Sequence, residues 1–255
     1  MSFNATSAFT IYRAELMRFL RTAFGSLVSP VLTTCLYFIV FGAAIGGRME
    51  EVGGVEYGAF IVPGLLLLTM LSESTSNASF GIYMPRFTGS IYELLSAPVG
   101  VAETLAGYVG AAVTKSLILA AIILLTATLF VDYHIMHPLA AFGFIVLVAA
   151  AFSLLGFILG LWADGFEKLQ MVPLLLLTPL TFLGGTFYSI DMLAEPWRTA
   201  ALFNPIVYLV SGLRWTFYGQ ADVSIAVATG LTLAFLALCV IVIATIFKTG
   251  WRLRD

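Results

Sequence analysis

Long uninterrupted apolar runs alternate along this chain with short polar stretches. A hydrocarbon core about 30 Å thick is crossed by about 20 residues of α-helix, which satisfies its own backbone hydrogen bonds. Six runs meet that length, at 27–45, 57–76, 104–131, 139–163, 171–190 and 223–247, and each predicts a spanning helix. They are continuous rather than alternating ten-residue segments, which excludes a membrane β-barrel. Before the first run, Phe9, Tyr12, Leu16, Phe19, Leu20 and Ala23 recur at three- and four-residue spacing, with Arg13, Glu15, Arg18 and Arg21 on the rest of the wheel. The segment 4–24 is therefore predicted as an amphipathic interfacial helix, serving either as a topological anchor or as a docking site for a cytoplasmic subunit.

Composition agrees with the pattern. Apolar residues make up 60% of the chain and charged ones 10%, leaving too little polar surface to cover a soluble globule. The class is an all-α membrane protein. A net charge of -2 gives no reason to expect a nucleic-acid partner. Cys35 and Cys239 fall inside apolar runs and form no disulfide framework. No basic end, short apolar core and small-residue cleavage site open the chain, so no removable leader is expected and the first span serves as the targeting signal.

Cations set the expected orientation, because short basic loops stay on the cytoplasmic side. Arg13, Arg18, Arg21, Arg86, Lys168, Lys248, Arg252 and Arg254 fall on one side of the six-span topology, against Arg48, Arg198 and Arg214 on the other. Both termini are predicted to face the cytoplasm.

Between spans two and three, the segment 86–100 predicts a short cytoplasmic helix. Ser90 and Glu93 have capping-box spacing, Ile91, Leu94 and Leu95 form an apolar face, and Pro98 with Gly100 ends it. A helix lying across the cytoplasmic ends of two spans is a surface on which a motor subunit can push; an ordinary interfacial turn is the simpler reading. The run 164–168 offers a second cytoplasmic contact. Two ionisable residues interrupt the spans, Glu73 in the second and Lys115 in the third. Either Glu73 and Asn77, four residues apart on one face, line the inner mouth of a pathway, or Glu73 and Lys115 pair across adjacent helices, or Lys115 snorkels; pairing is the more economical reading. Gly42 with Gly46, and Gly156 with Gly160, have the spacing that permits close helix approach, more simply within one subunit than between two. Pro173 and Pro179 predict a bend in span five.

After span five the chain is neither a clean loop nor a span. Pro196 and Pro205 break or start helices, while Trp197, Tyr208, Trp215 and Tyr218 suit the headgroup level, so 184–218 is predicted as short re-entrant helices in the outer leaflet.

The basic amphipathic start, the six spans, the loop helix ending in Leu95-Ser96-Ala97-Pro98, and the ordered series Gly184, Gly185, Pro196, Trp197, Asn204, Pro205, Tyr208 and Arg214 closely resemble the ABC-2 type permease family, the membrane subunits of ATP-driven exporters. The resemblance covers nearly the whole chain. It departs at Tyr188-Ser189 and Ala194-Glu195, where the family often carries proline. It implies a single transmembrane domain over 1–255 in a bacterial inner membrane, paired with a second copy and with two cytoplasmic ATPase subunits that bind ATP and Mg. It also implies outward movement of a substrate and coupling through the loop helix of Ser90, Ile91, Glu93, Leu94, Leu95 and Pro98. The chain itself is not expected to be an enzyme or to hold a cofactor or metal. The run 110–116 lacks the second glycine of a phosphate loop, and no nucleophile and base are spaced for an intramembrane protease. The aromatic content, 21 Phe and 10 Tyr, favours an amphipathic or lipid-like cargo such as a drug, a lipid or a lipid-linked saccharide, although a lipid-facing exterior accounts for most of those residues equally well. An ATP-independent secondary transporter is the alternative, and would need neither loop helix nor motor.

Overall fold

The computed structural model describes residues 3–43 and 51–251, with the side chains of Ala43, Leu94 and Leu95 outside that description. Ile45, Gly46, Arg48, Arg252 and Arg254, on which parts of the sequence reading fall, also lie outside the described residues.

Helix α1 (Ala5–Arg21) begins at Asn4, whose side chain accepts the Ser7 N–H, and gives way at Thr22 to α2 (Ala23–Tyr37), which widens into a π-helical turn over Phe38–Ala43. A two-residue hairpin, β1 (Glu51–Val52) and β2 (Val55–Glu56), turns through Gly53 and Gly54, both at positive φ, as a tight reversal of this twist requires. It leads through α3 (Tyr57–Phe60) into α4 (Val62–Thr88). The short helix α5 (Ile91–Ser96) precedes α6 (Val101–Ala127) and α7 (Pro138–Trp162). Span five is composite: α8 (Phe166–Val172), a π-helical turn Pro173–Leu177, and α9 (Thr178–Leu183). Two short helices, α10 (Trp197–Ala201) and α11 (Pro205–Tyr218), come before α12 (Ile225–Thr249).

Among the described residues six helical stretches are long and apolar enough to cross a membrane: Ala23–Gly42, Tyr57–Thr88, Val101–Ala127, Pro138–Trp162, Phe166–Leu183 and Ile225–Thr249. The all-α membrane class follows. Several boundaries differ from the hydropathy pattern. Span two runs past Ser76 to Thr88, because the polar run that seems to end it turns inward. Ser74 meets Ser116 at 2.8 Å, the Thr75 hydroxyl donates to the Phe152 carbonyl at 3.4 Å, and Ser79 is buried. The helix stops where Gly89 adopts φ +81. Span five ends at Leu183 rather than 190, because Gly184 and Gly185, the latter at φ +84, turn the chain. Within it, Pro173 opens the π-helical turn and the Thr178 hydroxyl donates to the Pro173 carbonyl at 3.0 Å, so the predicted bend is a local widening of the helix.

Helices α4 and α7 form the centre. A Cβ on Gly156 or Gly160 would collide with the backbone at Thr75 or Ser79, so these glycines bring two backbones together within one subunit. Gly42, by contrast, has open space around its Cβ position. Around this pair the ends of the bundle sort themselves. Ile11, Ile82, Ile91, Tyr108, Leu161 and Ile246 gather α1, α5 and the end of α12 at one end. The hairpin, the 128–137 connection and α11 gather at the other, where Met136 and His137 donate their N–H groups to Phe217 and Thr216, and Gln220 donates to Gly53.

Candidate functional site

The sequence singles out three groups of residues, and the fold places them at three levels of the bundle. At the end that gathers α1 and the last turn of α12, α5 is anchored through Ile91, 4% exposed among Ile82, Tyr108 and Leu161, while Tyr92 and Glu93 face outward. The capping box predicted there does not form. Ser90 sits in the right-handed helical region rather than the extended region that a capping residue needs, and its hydroxyl pairs with that of Thr88 at 3.0 Å. The N–H of Glu93 bonds instead to the Ser90 carbonyl. Pro98 is exposed and follows the helix as its stop.

Two polar side chains hold this end together: Arg86, read in the sequence only as an orienting cation, and Glu103, to which the sequence reading gave no role. Arg86 donates to the carbonyls of Gly160, Leu161 and Ala163, closing the C-terminus of α7. Glu103, at the start of α6, accepts the N–H of Asn4 at 2.9 Å and so ties the N-terminal helix to the end of the loop.

Deeper in the bundle, Glu73, Asn77 and Lys115 meet. Lys115 Nζ lies 3.2 Å from Glu73 Oε2 and 3.5 Å from Asn77 Oδ1, with the Phe19 ring centroid at 5.6 Å. The ammonium is buried, whereas Glu73 retains 28% of its side-chain exposure and borders a cavity of about 210 Å³ between α2, α4 and α9. The pair between Glu73 and Lys115 is formed, and Glu73, though not Asn77, borders this cavity.

At the opposite end, Arg214 is 2% exposed. One terminal nitrogen donates to Asp222 Oδ2 at 2.9 Å and the other to the Gly185 carbonyl at 2.7 Å, and the Phe60 ring centroid lies 3.9 Å from the guanidinium carbon. Burial pushes the Arg214 pKa down to about 10, opposed by Asp222, so the group remains a cation at neutral pH. The Ser189 hydroxyl occupies the other oxygen of Asp222, and the Tyr218 hydroxyl, its pKa raised by burial, donates to the Ala59 carbonyl.

Asn204 caps α11 by accepting the Ile206 N–H and reaches back to the Leu180 carbonyl at 2.6 Å. Pro205 is the first residue of that helix, where its missing N–H costs nothing. Gly184 packs against Ile206. Tyr208 only closes a local turn, donating to Leu202, and Pro196, after a cis peptide bond, precedes α10. Trp197 is 71% exposed and, with Leu183 and Phe203, rims an apolar cavity of about 510 Å³. The signature therefore divides: Gly184, Gly185, Asn204, Pro205 and Arg214 join one network, while Pro196, Trp197 and Tyr208 stand outside it. The sequence reading missed Asp222, Ser189 and Phe60. For Asp222 the signal was a carboxylate in the short connection 219–224, beside the polar Gln220 and Ser224.

The family model described as ABC-2 type transporter matches residues 6–218. The chain is 36% identical over 246 residues to the inner membrane transport permease YadH of Escherichia coli (strain K12), covering 96% of each protein. It is 24% identical over 245 residues to nodulation protein J of Rhizobium leguminosarum bv. trifolii, covering 96% of this chain and 91% of that protein. A similar match, 21% over 252 residues, reaches nodulation protein J of Rhizobium meliloti (strain 1021), covering 98% of this chain and 94% of that protein. Six apolar helices together with the match to an inner-membrane permease identify an integral protein of the bacterial inner membrane. With the family model spanning most of its length, the chain belongs to the ABC-2 type transporter family and is a membrane transport permease.

Proposed function

We propose that this chain is the membrane-spanning half of an ATP-driven exporter, which moves an amphipathic or lipid-like substrate outward. Two copies pair in the bilayer and two cytoplasmic ATPase subunits supply the energy, with ATP and Mg bound on those subunits. Both termini and the loop helix face the cytoplasm, a reading supported by the cations that this end carries.

The observation that carries the proposal is the seating of α5. Its first residue is buried in a cluster shared by α4, α6 and α7, and the next two side chains, Tyr92 and Glu93, point away from the bundle. A short helix seated in this way transmits a push on its outer face to three spans at once. When the partner subunits close around nucleotide, α5 moves and the spans rock between inward- and outward-facing arrangements. Family membership supports association with an ATPase, and the apolar cavity rimmed by Trp197 and Phe203 supports an amphipathic cargo.

The test is purification of the full chain in nanodiscs with its mass determined. A complex of two permeases and two ATPase chains is expected. Recovery of the permease alone, under conditions that keep a known exporter intact, would favour an ATP-independent transporter.

A further inference from the structure

Helix α1 is apolar on two sides. Its inner side runs along α6 in register. Ile11 fits against Gly107, where a Cβ would collide with it, the Tyr12 hydroxyl meets that of Thr114 at 3.0 Å, and Phe19 is buried beside the Lys115 ammonium. The outer side has no such counterpart. Phe9, Arg13, Met17 and Leu20 recur there at four- and three-residue spacing, which aligns them on one face, and all four are exposed, as is Arg21 one turn beyond Met17.

Charge is sorted between the two sides. Glu15, the one carboxylate of α1, is turned inward: it pairs with Arg18 and lies against α4, where a Cβ on Gly81 would stand 3.1 Å from its Oε2. Arg13 and Arg21 have no hydrogen-bond or ion-pair partner among the described residues. The outer face therefore offers two free guanidinium groups set among large apolar side chains, with no acid to offset them.

The chain itself points to what covers that face. Thr22 alone separates α1 from the first span, in which Phe24 is 84% exposed and Leu32 and Leu36 are exposed as well. In a spanning helix such side chains meet hydrocarbon. The outer face of α1 leads straight into that surface, and a helix with cations interleaved among apolar residues suits the boundary between headgroups and acyl chains.

We propose that the outer face of α1 is a binding surface for anionic phospholipid headgroups, with Phe9, Met17 and Leu20 sunk among the upper acyl chains and Arg13 and Arg21 donating to lipid phosphates. A guanidinium fork matches the oxygens of a phosphate. A net-negative headgroup is preferred over a zwitterionic one, because the latter brings its own cation to a face that already carries two without an acid. The surface is independent of how transport is powered. Since α1 is fixed to α6 through Ile11, Tyr12 and Phe19, lipid gripped on the outer side steadies α6 beside Lys115.

The experiment uses the full chain, delipidated in a neutral detergent and titrated with dioleoylphosphatidylglycerol or dioleoylphosphatidylcholine, with bound lipid counted by native mass spectrometry. Phosphatidylglycerol is expected to bind ahead of phosphatidylcholine, with a preference that shrinks as salt rises. Arg13→Gln with Arg21→Gln should cut the preference about fivefold for each cation removed. Lys248→Gln, which neutralises an exposed cation on another helix at the same end, should leave it in place. A thermal scan should show the double variant folded, since neither guanidinium has a partner in the bundle; should it fail to fold, the salt dependence of the unaltered chain decides, and a salt-independent preference overturns the proposal. An unchanged preference in the double variant, an equal loss from Lys248→Gln, or suppression by inorganic phosphate at the lipid's own concentration also overturns it. So does loss of a co-purified ATPase from the double variant with lipid preference intact, which would make the face a protein dock.

Discussion

Among the described residues two cations are buried, and their surroundings differ. Arg214 is enclosed: a carboxylate and a backbone carbonyl take its two terminal nitrogens, an aromatic ring covers its face, and its Nε is buried without a hydrogen-bond partner among the described residues, while Asp222 is itself nearly buried and held by Ser189. Lys115 is buried too, but its partner carboxylate is half turned towards a cavity and bound through a single oxygen at the longer distance of 3.2 Å. A fork of fixed donors that joins α3, the end of span five and the approach to span six serves to hold parts in place. A point charge on a flexible stem, facing a carboxylate with one free edge, neutralises that carboxylate and leaves it available. Burial of the cation alone does not tell the two sites apart; the exposure of the counter-ion does.

Substitutions can break this contrast. The largest effect is expected for Arg214→Ala, which leaves Asp222 uncompensated and the Gly185 carbonyl without its donor, at about 3–5 kcal/mol. A thermal scan of the purified protein should show loss of the folded state, and Arg214→Lys should recover only part of it, because one ammonium cannot bridge both acceptors. Next comes Glu73→Ala, which strands a buried ammonium at a cost of about 2–3 kcal/mol. Lys115→Met should cost less, about 1 kcal/mol, because the remaining carboxylate is hydrated from the cavity. An equal loss of melting temperature for the two would mean that the cavity does not wet Glu73. The exchange Glu73→Lys with Lys115→Glu should restore melting towards wild type while abolishing transport, since it presents an ammonium to the cavity; restored transport would make the pair purely structural. The smallest effect, about 1 kcal/mol, is expected for Ser189→Ala, which removes one hydrogen bond from Asp222. A loss as large as that of Arg214→Ala would contradict the ranking.

A separate substitution probes the end that holds α5. Ile91→Ala should leave the chain in the membrane and lower substrate-stimulated ATPase activity of the assembled complex severalfold. Unchanged stimulation would remove α5 from the coupling route.

The spans were legible because a helix in hydrocarbon announces itself by length and apolarity. Their ends were less so, since whether Ser74, Thr75 and Ser79 stop a span or line a helix–helix seam depends on α6 and α7, which no local window contains. Glu73 and Lys115 stood out as intrusions in apolar runs, and the structure brings them together. The capping-box spacing at Ser90 and Glu93 misled because backbone geometry set by the αL turn at Gly89 holds Ser90 in a helical conformation. Asp222 went unassigned because it reaches Arg214 around the end of a helix, a relation that neither three- nor four-residue periodicity records.

The close seam between α4 and α7 carries a mechanical consequence. At Gly156 and Gly160 the two backbones touch with no side chain to slide on, the Thr75 hydroxyl bonds across the same seam to Phe152, and Ser74 ties it to Ser116 of α6. Interfaces of this kind shift as units or not at all. This trio is therefore the mast of the subunit, and the rigging is α2, span five and α12, which keep most of their surface outside the core and of which the first two carry the π-helical turns. Under the proposed mechanism a push on α5 would therefore move this trio as one body, and the change of shape would fall at its contacts with those outer helices.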